Sequence, residues 1–477
     1  MHCAPGNVTA GFGGGVDVTS RPGRCALFAL LVLVCACSDA ESGPAPNLLL
    51  ITLDTTRADH CSVHGYERDT TPELRRLAEQ GARFDRAYAP SPSTAPTHAS
   101  IFTSLHPLEH GLVKNGLRLD GRFDTLAERL ARRGYETAAF VSSFVLNRKF
   151  GFAQGFDVYD DKFERKDASV WWVERWWGFE VPEGFDRRAD ETTMRANRWL
   201  IHREGDRPFF LFVHYFDPHA PYDPPERFAS RFRGEGPQGS IDEVVSRYDA
   251  EIAFADAQIG RLLETVKHLG IAEETLIVVA GDHGEGLAQH GHMYHGDYIY
   301  EEAVRVPLVF RWPGRILPAR VIEAPVQVND LTPTILDLLG IPGTNLEGRT
   351  LAPALVGDAG LDAEHPLYFQ TDRQLSSQRF RYLDSTVGSD WSIGERFGIR
   401  LGRWKYSEDW GRESQELFDL AEDPEESRNL ALELPDRTAE LSRRLREWRR
   451  SDTAAAATSA RMSEDDIARL RALGYVR

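Results

Sequence analysis

Short apolar runs alternate along the chain with longer stretches whose apolar residues recur every three or four positions. NLLLITLD (residues 47–54) is an apolar run closing on an acid, the pattern of a strand buried on both faces that delivers a polar residue at its C-terminal end. ETAAFVSS, FFLFVHYF (209–216) and TLIVVAGDHG (275–284) follow the same pattern. TPELRRLAEQG and TLAERLARRG read instead as helices, each ended by a glycine cap, at Gly81 and Gly134. SRYDAEIAFADAQIGRLLETVKHLG is a longer amphipathic helix between the last two strands. The alternation predicts an α/β fold, a mostly parallel sheet covered by helices on both faces, with its ligand site beyond the carboxyl ends of the strands.

The polar residues at those ends are the first candidate chemistry. Asp54 closes the first strand, and Asp282 and His283 close the TLIVVAG strand. Two carboxylates and an imidazole at one sheet edge suit a divalent cation, with Mn, Zn, Ca or Mg all compatible with such a donor set. The local alternative is that each acid caps the helix after it.

Composition narrows the rest. A chain of 477 residues, 42% hydrophobic, is long enough for one large domain and a smaller one. Its 73 acidic against 56 basic residues, a formal charge of −17, oppose a nucleic-acid partner. Arg21 and Arg24 precede ALFALLVLVCA (26–36), too short to span a bilayer and suited to an export signal. VCAC-SD around Cys37 is similar to a bacterial lipoprotein processing box, which predicts export to the periplasm or envelope and an N-terminal lipid anchor. Cleavage there leaves Cys61 alone among the five cysteines and therefore no disulfide. The expected organisation is a leader (1–37), a tether (38–45), a catalytic domain (46–360), and a C-terminal subdomain with a helical tail (361–477).

NLLLITLDTTRADH, the segment after Ser93, HYFDPHAPY, AGDHGEGLAQHG, YEEAVRVPLVFRWPG, QVNDLTPTILDLLGI and GRWKYSEDWGRESQELFDLAEDPEESRNLA together resemble, in that order, the sulfatase family of the alkaline phosphatase superfamily. The resemblance covers roughly residues 45–435 and implies an alkaline-phosphatase-like α/β domain with a mixed sheet, a smaller C-terminal domain on a short antiparallel sheet, and metal-assisted hydrolysis of sulfate or phosphate esters.

The departures from that family are specific. Where sulfatases carry Cys or Ser ahead of x-Pro-Ser-Arg, with the first residue oxidised to formylglycine, this chain has Thr94, Ala95, Pro96, Thr97 and His98. Oxidation of Thr would give a ketone, so formylglycine cannot form. Thr55 stands where a second Asp is expected, Ser142 and Phe144 replace a Lys and a His, and His295 stands at the later Lys position. Thr94 with Asn115, 21 residues on, is similar to the nucleophile segment of nucleotide pyrophosphatase/phosphodiesterases, which use Thr and an oxygen-steadying Asn.

These resemblances imply Thr94 as nucleophile and metal ligand with Asp54, Asp282 and His283, Asn115 and His219 as further catalytic residues, and His98 and His295 on the substrate. HASIFTSL reads as a helix starting at the nucleophile, its free N–H groups facing the anionic ester. His214 fits a supporting position. The segment ASVWWVERWWGFEVPEGF, with Trp171, Trp172, Trp176 and Trp177, fits core packing, a wall for the leaving group, or membrane contact. The expected activity is hydrolysis of phosphate mono- or diesters or sulfate esters of a small molecule, glycan or lipid headgroup. The alternatives are a non-catalytic relative binding an anionic glycan or headgroup, and a phospho-group transferase.

Overall fold

The structure is a computed structural model, and it describes residues 45–163, 185–234, 236–357, 359–371, 395–409, 414–451, 458–460 and 462–472. The leader with Cys37 and the Trp171–Trp177 segment lie outside the described residues.

An eight-stranded sheet forms the centre. Its strands are β1 (Asn47–Leu53), β2 (Ala82–Phe84), β3 (Glu136–Phe140), β4 (Val158–Asp160), β5 (Phe209–Tyr215), β6 (Thr275–Gly281), β7 (Leu308–Arg311) and β8 (Arg320–Ile322). They lie in the order β8-β2-β7-β6-β1-β5-β3-β4. Every pairing is parallel except the two made by β7, so the sheet is mostly parallel and mixed as expected. The central strands are wholly buried, and alternate side chains feed two cores. Leu48, Leu50, Phe210, Phe212, Leu276 and Val278 face one side, and Leu49, Ile51, Leu211, Val213, Ile277 and Val279 face the other.

The first core is covered by helices Thr94–Thr103, Leu126–Ala131 and Leu331–Leu338 through residues such as Phe102, Leu130 and Ile335. The second is covered by Pro72–Glu79, Ala189–His202 and the long helix Ile241–His268 through Leu74, Leu200 and Ile259. Ser240 caps that long helix, six residues upstream of the amphipathic pattern read from the sequence. A four-stranded antiparallel sheet follows, made of Leu367–Gln370, Arg396–Leu401, Trp404–Asp409 and Ser414–Asp419. It packs on helix Pro435–Ser451 through Leu441 and Leu445. The tail does not stay with this sheet. Thr458–Ser459 pair with Leu117–Arg118, Leu470 enters the first core, and Lys149 pairs with Asp466.

Gly134 ends its helix as read, in the left-handed region at φ 85°. Gly81 works differently. Its φ is not left-handed, and a Cβ there would stand 2.0 Å from the Phe310 carbonyl oxygen and 2.8 Å from Arg311 Cα. The residue is glycine because strand β7 passes against it. Gly81→Ala is therefore expected to cost about 3 kcal/mol, because the clash is with backbone that cannot rotate away. Gly134→Ala, with open space around its Cβ, should cost only about 1 kcal/mol. Thermal melts of the two variants check the order, and equal losses would contradict the close-approach explanation.

Candidate active site

The parallel register sets Leu53 beside both Gly281 and Tyr215, so the next residues of β1, β6 and β5 emerge together. The Asp54 amide donates to the Tyr215 carbonyl at 2.9 Å and the Asp282 amide to the Leu53 carbonyl at 3.1 Å. Asp54, Asp282 and His283 are fully buried, and one ligand atom from each lies within 4.8 Å of the others.

Their existing hydrogen bonds leave a defined set of atoms over. Asp282 Oδ1 accepts from the amides of Thr55 (3.1 Å) and His283 (2.7 Å), while its Oδ2 has no partner among the described residues. Asp54 Oδ2 accepts from His214 Nε2 at 3.1 Å, while its Oδ1 is likewise unpartnered. His283 Nδ1 donates to the Gly284 carbonyl at 2.9 Å, which leaves Nε2 with its lone pair. Nε2 lies 3.5 Å from Asp54 Oδ1 and 3.7 Å from Asp282 Oδ2. Burial raises both carboxyl pKa values well above the ordinary range, and the charge of Asp54 raises that of Asp282 further. Burial pushes His283 well down, so it is neutral. Two unpartnered buried carboxylate oxygens and one imidazole lone pair fit a divalent cation.

Thr94 is the first residue of its helix, and its Oγ1 lies 3.2 Å from His283 Nε2. Asn115 is oriented by its own helix contact. Its Oδ1 accepts from the Ala95 amide at 2.8 Å, and its buried Nδ2 has no partner among the described residues. That bond narrows the expectation of free helix amides facing the ester to the amide of Thr94 itself. Ala95 donates to Asn115, Pro96 has no N–H, and the Thr97 amide bonds the Ser93 carbonyl.

His98 is also corrected. It is fully buried beneath Thr94, with Nδ1 donating to the Thr94 carbonyl (2.8 Å) and Nε2 accepting from Thr52 Oγ1 (2.9 Å). Both ring nitrogens are engaged with the protein, so His98 braces the helix on β1 and does not reach a substrate.

His295 Nδ1 is 3.0 Å from Glu285 Oε1, and its ring centroid is 4.5 Å from that of His283 and 4.9 Å from that of His219. Burial opposes its charge, but the Glu285 and Asp54 carboxylates outweigh that and raise its pKa. It can supply the positive charge of the missing Lys. His219 stacks on Phe216 and directs Nδ1 to the Ala220 carbonyl. Burial and the neighbouring His295 push its pKa well down, so it enters the site neutral.

Several supports escaped sequence reading. Tyr248 donates to the Thr55 carbonyl (2.6 Å) and accepts from the Arg57 amide (3.0 Å). Tyr222 donates to Glu285 Oε2 at 3.1 Å. Tyr248 looked like one more apolar position of an amphipathic helix, and nothing in the local pattern marks its hydroxyl.

A helix-terminal hydroxyl, a buried donor set that fits a divalent cation and a flanking histidine meet at one edge of a parallel sheet, an arrangement suited to metal-assisted ester hydrolysis. The sulfatase family profile matches residues 46–341, and a second profile, N-sulphoglucosamine sulphohydrolase C-terminal, matches 288–451. The chain belongs to the sulfatase family. Choline-sulfatase of Rhizobium meliloti is 28% identical over 447 residues, covering 81% of this chain and 82% of that protein. An arylsulfatase of Clostridium perfringens is 24% identical over 466 residues, covering 81% and 90%. Among solved structures, the phosphonate monoester hydrolase of Agrobacterium radiobacter has the same fold, with a TM-score of 0.67 at 24% identity over 87% of this chain and 100% of that one.

Asp282→Asn keeps Oδ1 for its two amide donors and removes the unpartnered charge. A carboxyl whose folded pKa is raised gives stability that is present at low pH and lost as pH rises through that pKa. In chelator-treated protein at neutral pH the variant should therefore melt higher than the parent chain, and with metal supplied the order should reverse. The same order under both conditions would remove the cation from this site.

Proposed function

We propose that the chain hydrolyses phosphate esters, phosphodiesters in preference to monoesters and sulfates, with Thr94 as nucleophile. The observation that carries this reading is Thr94 Oγ1 at 3.2 Å from the His283 lone pair, with Asn115 held on the amide of the next residue, Ala95. A threonine hydroxyl is a weak nucleophile unless its alkoxide is stabilised. A cation held by Asp54, Asp282, His283 and Thr94 would supply that stabilisation as a Lewis acid.

The protein groups account for the remaining tasks. Thr94 Oγ, its proton passed to water, attacks phosphorus as the bond to the leaving oxygen breaks; a water then attacks the phosphothreonine, the P–Oγ bond breaks, and a proton from that water restores the hydroxyl. Asn115, its carbonyl fixed by Ala95, presents Nδ2 to a nonbridging oxygen where charge builds. His295, charged against Glu285, neutralises and protonates the departing oxygen. His219 is neutral and serves as a hydrogen-bonding wall instead of the acid expected from sequence.

Sulfate esters fit this machinery poorly. A formylglycine hydrate can expel sulfate by collapsing to the aldehyde, whereas a sulfothreonine has no such exit. The phosphonate monoester hydrolase among the structural neighbours supports phosphorus chemistry on this fold. The leader read around Cys37 supports action at the cell envelope, on a small-molecule, glycan or headgroup ester.

Purified protein loaded with Mn or Zn and assayed on matched nitrophenyl esters is expected to turn over the phosphodiester fastest. Thr94→Ala should lower kcat by about 10³-fold or more, and Asn115→Ala by about 10²-fold. Multiple-turnover sulfate release that exceeds diester cleavage and disappears in Thr94→Ala would overturn the reading. His295→Gln should slow an alkyl leaving group far more than nitrophenolate, which needs no proton. Equal slowing of both would take the acid role from His295.

A further inference from the structure

A second cluster of metal-ligating side chains lies outside the catalytic constellation. His290 Nδ1 is 2.7 Å from Glu302 Oε1, and His292 Nε2 is 3.4 Å from the same oxygen. One ligand atom from each of the three lies within 4.8 Å of the others. Two imidazole nitrogens and a carboxylate oxygen are a softer set than the two oxygens and one nitrogen of Asp54, Asp282 and His283, and they suit zinc-class transition ions.

The surroundings hold both rings in a liganding pose. His290 stacks on Tyr300 with centroids 3.8 Å apart and planes 8° apart, and His292 on Tyr298 at 4.2 Å and 25°. His290 itself adopts φ 51°, a left-handed conformation uncommon outside glycine, asparagine, aspartate and histidine, and its Nε2 donates to the Glu426 carbonyl at 3.2 Å. A ring nitrogen donating to a backbone carbonyl is the support that orients metal-bound histidines, and the Nδ1 proton that His290 gives to Glu302 at 2.7 Å would be released when an ion binds. Gly286 makes room for His292, since a Cβ there would stand 2.6 Å from His292 Nδ1.

His292 is the observation that a hydrogen-bonded cluster does not explain. Its side chain is 9% exposed, and Nε2 has no hydrogen-bond partner among the described residues although it faces Glu302. An ion between the three groups would use this lone pair together with the other two donors. The side chain of His290 is 18% exposed, so water has access for a fourth position.

We propose that His290 Nδ1, His292 Nε2 and Glu302 bind a zinc-class transition-metal ion, distinct from the catalytic cation. Its consequence is structural control of the site. Glu302 and Ala303 already accept through their carbonyls from the amides of Glu285 (3.0 Å) and Gly284 (2.8 Å). The ion would fasten the loop that runs from His283 to His295 onto the helix Glu301–Val304 and, through Glu426, onto the segment after the small sheet.

The test begins by silencing the catalytic site with Asp282→Asn and His283→Ala in the full chain. That protein, equilibrated with zinc and washed, is expected to keep one zinc per chain by elemental analysis and to melt higher with zinc than after chelation. Zinc-edge absorption should show two imidazole ligands. Adding His292→Ala should remove the bound zinc and the zinc-dependent rise in melting temperature. No zinc retained in the silenced chain, or a scattering shell without imidazole, would overturn the proposal with no substitution in the new site. Zinc retention unchanged by His292→Ala would overturn it as well.

Discussion

Two carboxylates on neighbouring parallel strands, both with no exposed surface, govern the rest of this structure. Asp54 and Asp282 follow paired residues of β1 and β6, so the hydrogen-bond ladder fixes their proximity and no side-chain rotation relieves it. Burial disfavours the charge on each, and each charge disfavours the other. The groups around them answer that conflict. His214 donates to one carboxylate, and Thr55 adopts φ 47°, a strained conformation for a β-branched residue, in a loop whose amide reaches the other. The two oxygens left over sit beside the lone pair of His283.

Thr94, the proposed nucleophile, is positioned by contacts that have no chemistry of their own. His98 ties the Thr94 carbonyl to Thr52 on β1, so the first turn of the helix cannot shift along the sheet. Asn115 takes up the Ala95 amide, which turns an otherwise unused helix donor into the support for a side-chain donor. Removing either contact would displace Thr94 without touching a ligand atom, and displacements of about 1 Å are costly in catalysis.

Legibility of the sequence followed periodicity. The strands leading to Asp54 and Asp282 were readable because short apolar runs alternate with amphipathic helices, and the helix at Thr94 because HASIFTSL follows Pro96, whereas Thr94 itself was singled out by family resemblance. What escaped depends on contacts distant along the chain. Gly81 looked like a helix cap but is set by Phe310, more than 200 positions away. His98 looked like a substrate ligand from its place in a motif, yet the side of the helix it occupies faces β1. The pairing of His290 and His292 with Glu302 also had no local mark, since the apolar periodicity of that stretch is broken by its turns.

Charge accounting ties the substitutions in the site together. Thr55 in place of an acid leaves two carboxylates, Asp54 and Asp282, so one divalent cation brings the cluster to near neutrality. Ser142 in place of a Lys and His295 in place of another reduce the fixed positive charge facing the substrate, and the Glu285 carboxylate beside His295 consumes part of what remains. A dianionic monoester would bring two charges to a pocket with about one cation to meet them, and an uncompensated charge in a desolvated site costs several kcal/mol. The singly charged diester of the proposed function would ask for less fixed charge. Under that proposal its second ester group would need an uncharged surface, and the rings of Phe216 and His219, stacked at 4.2 Å beside His295, would offer one.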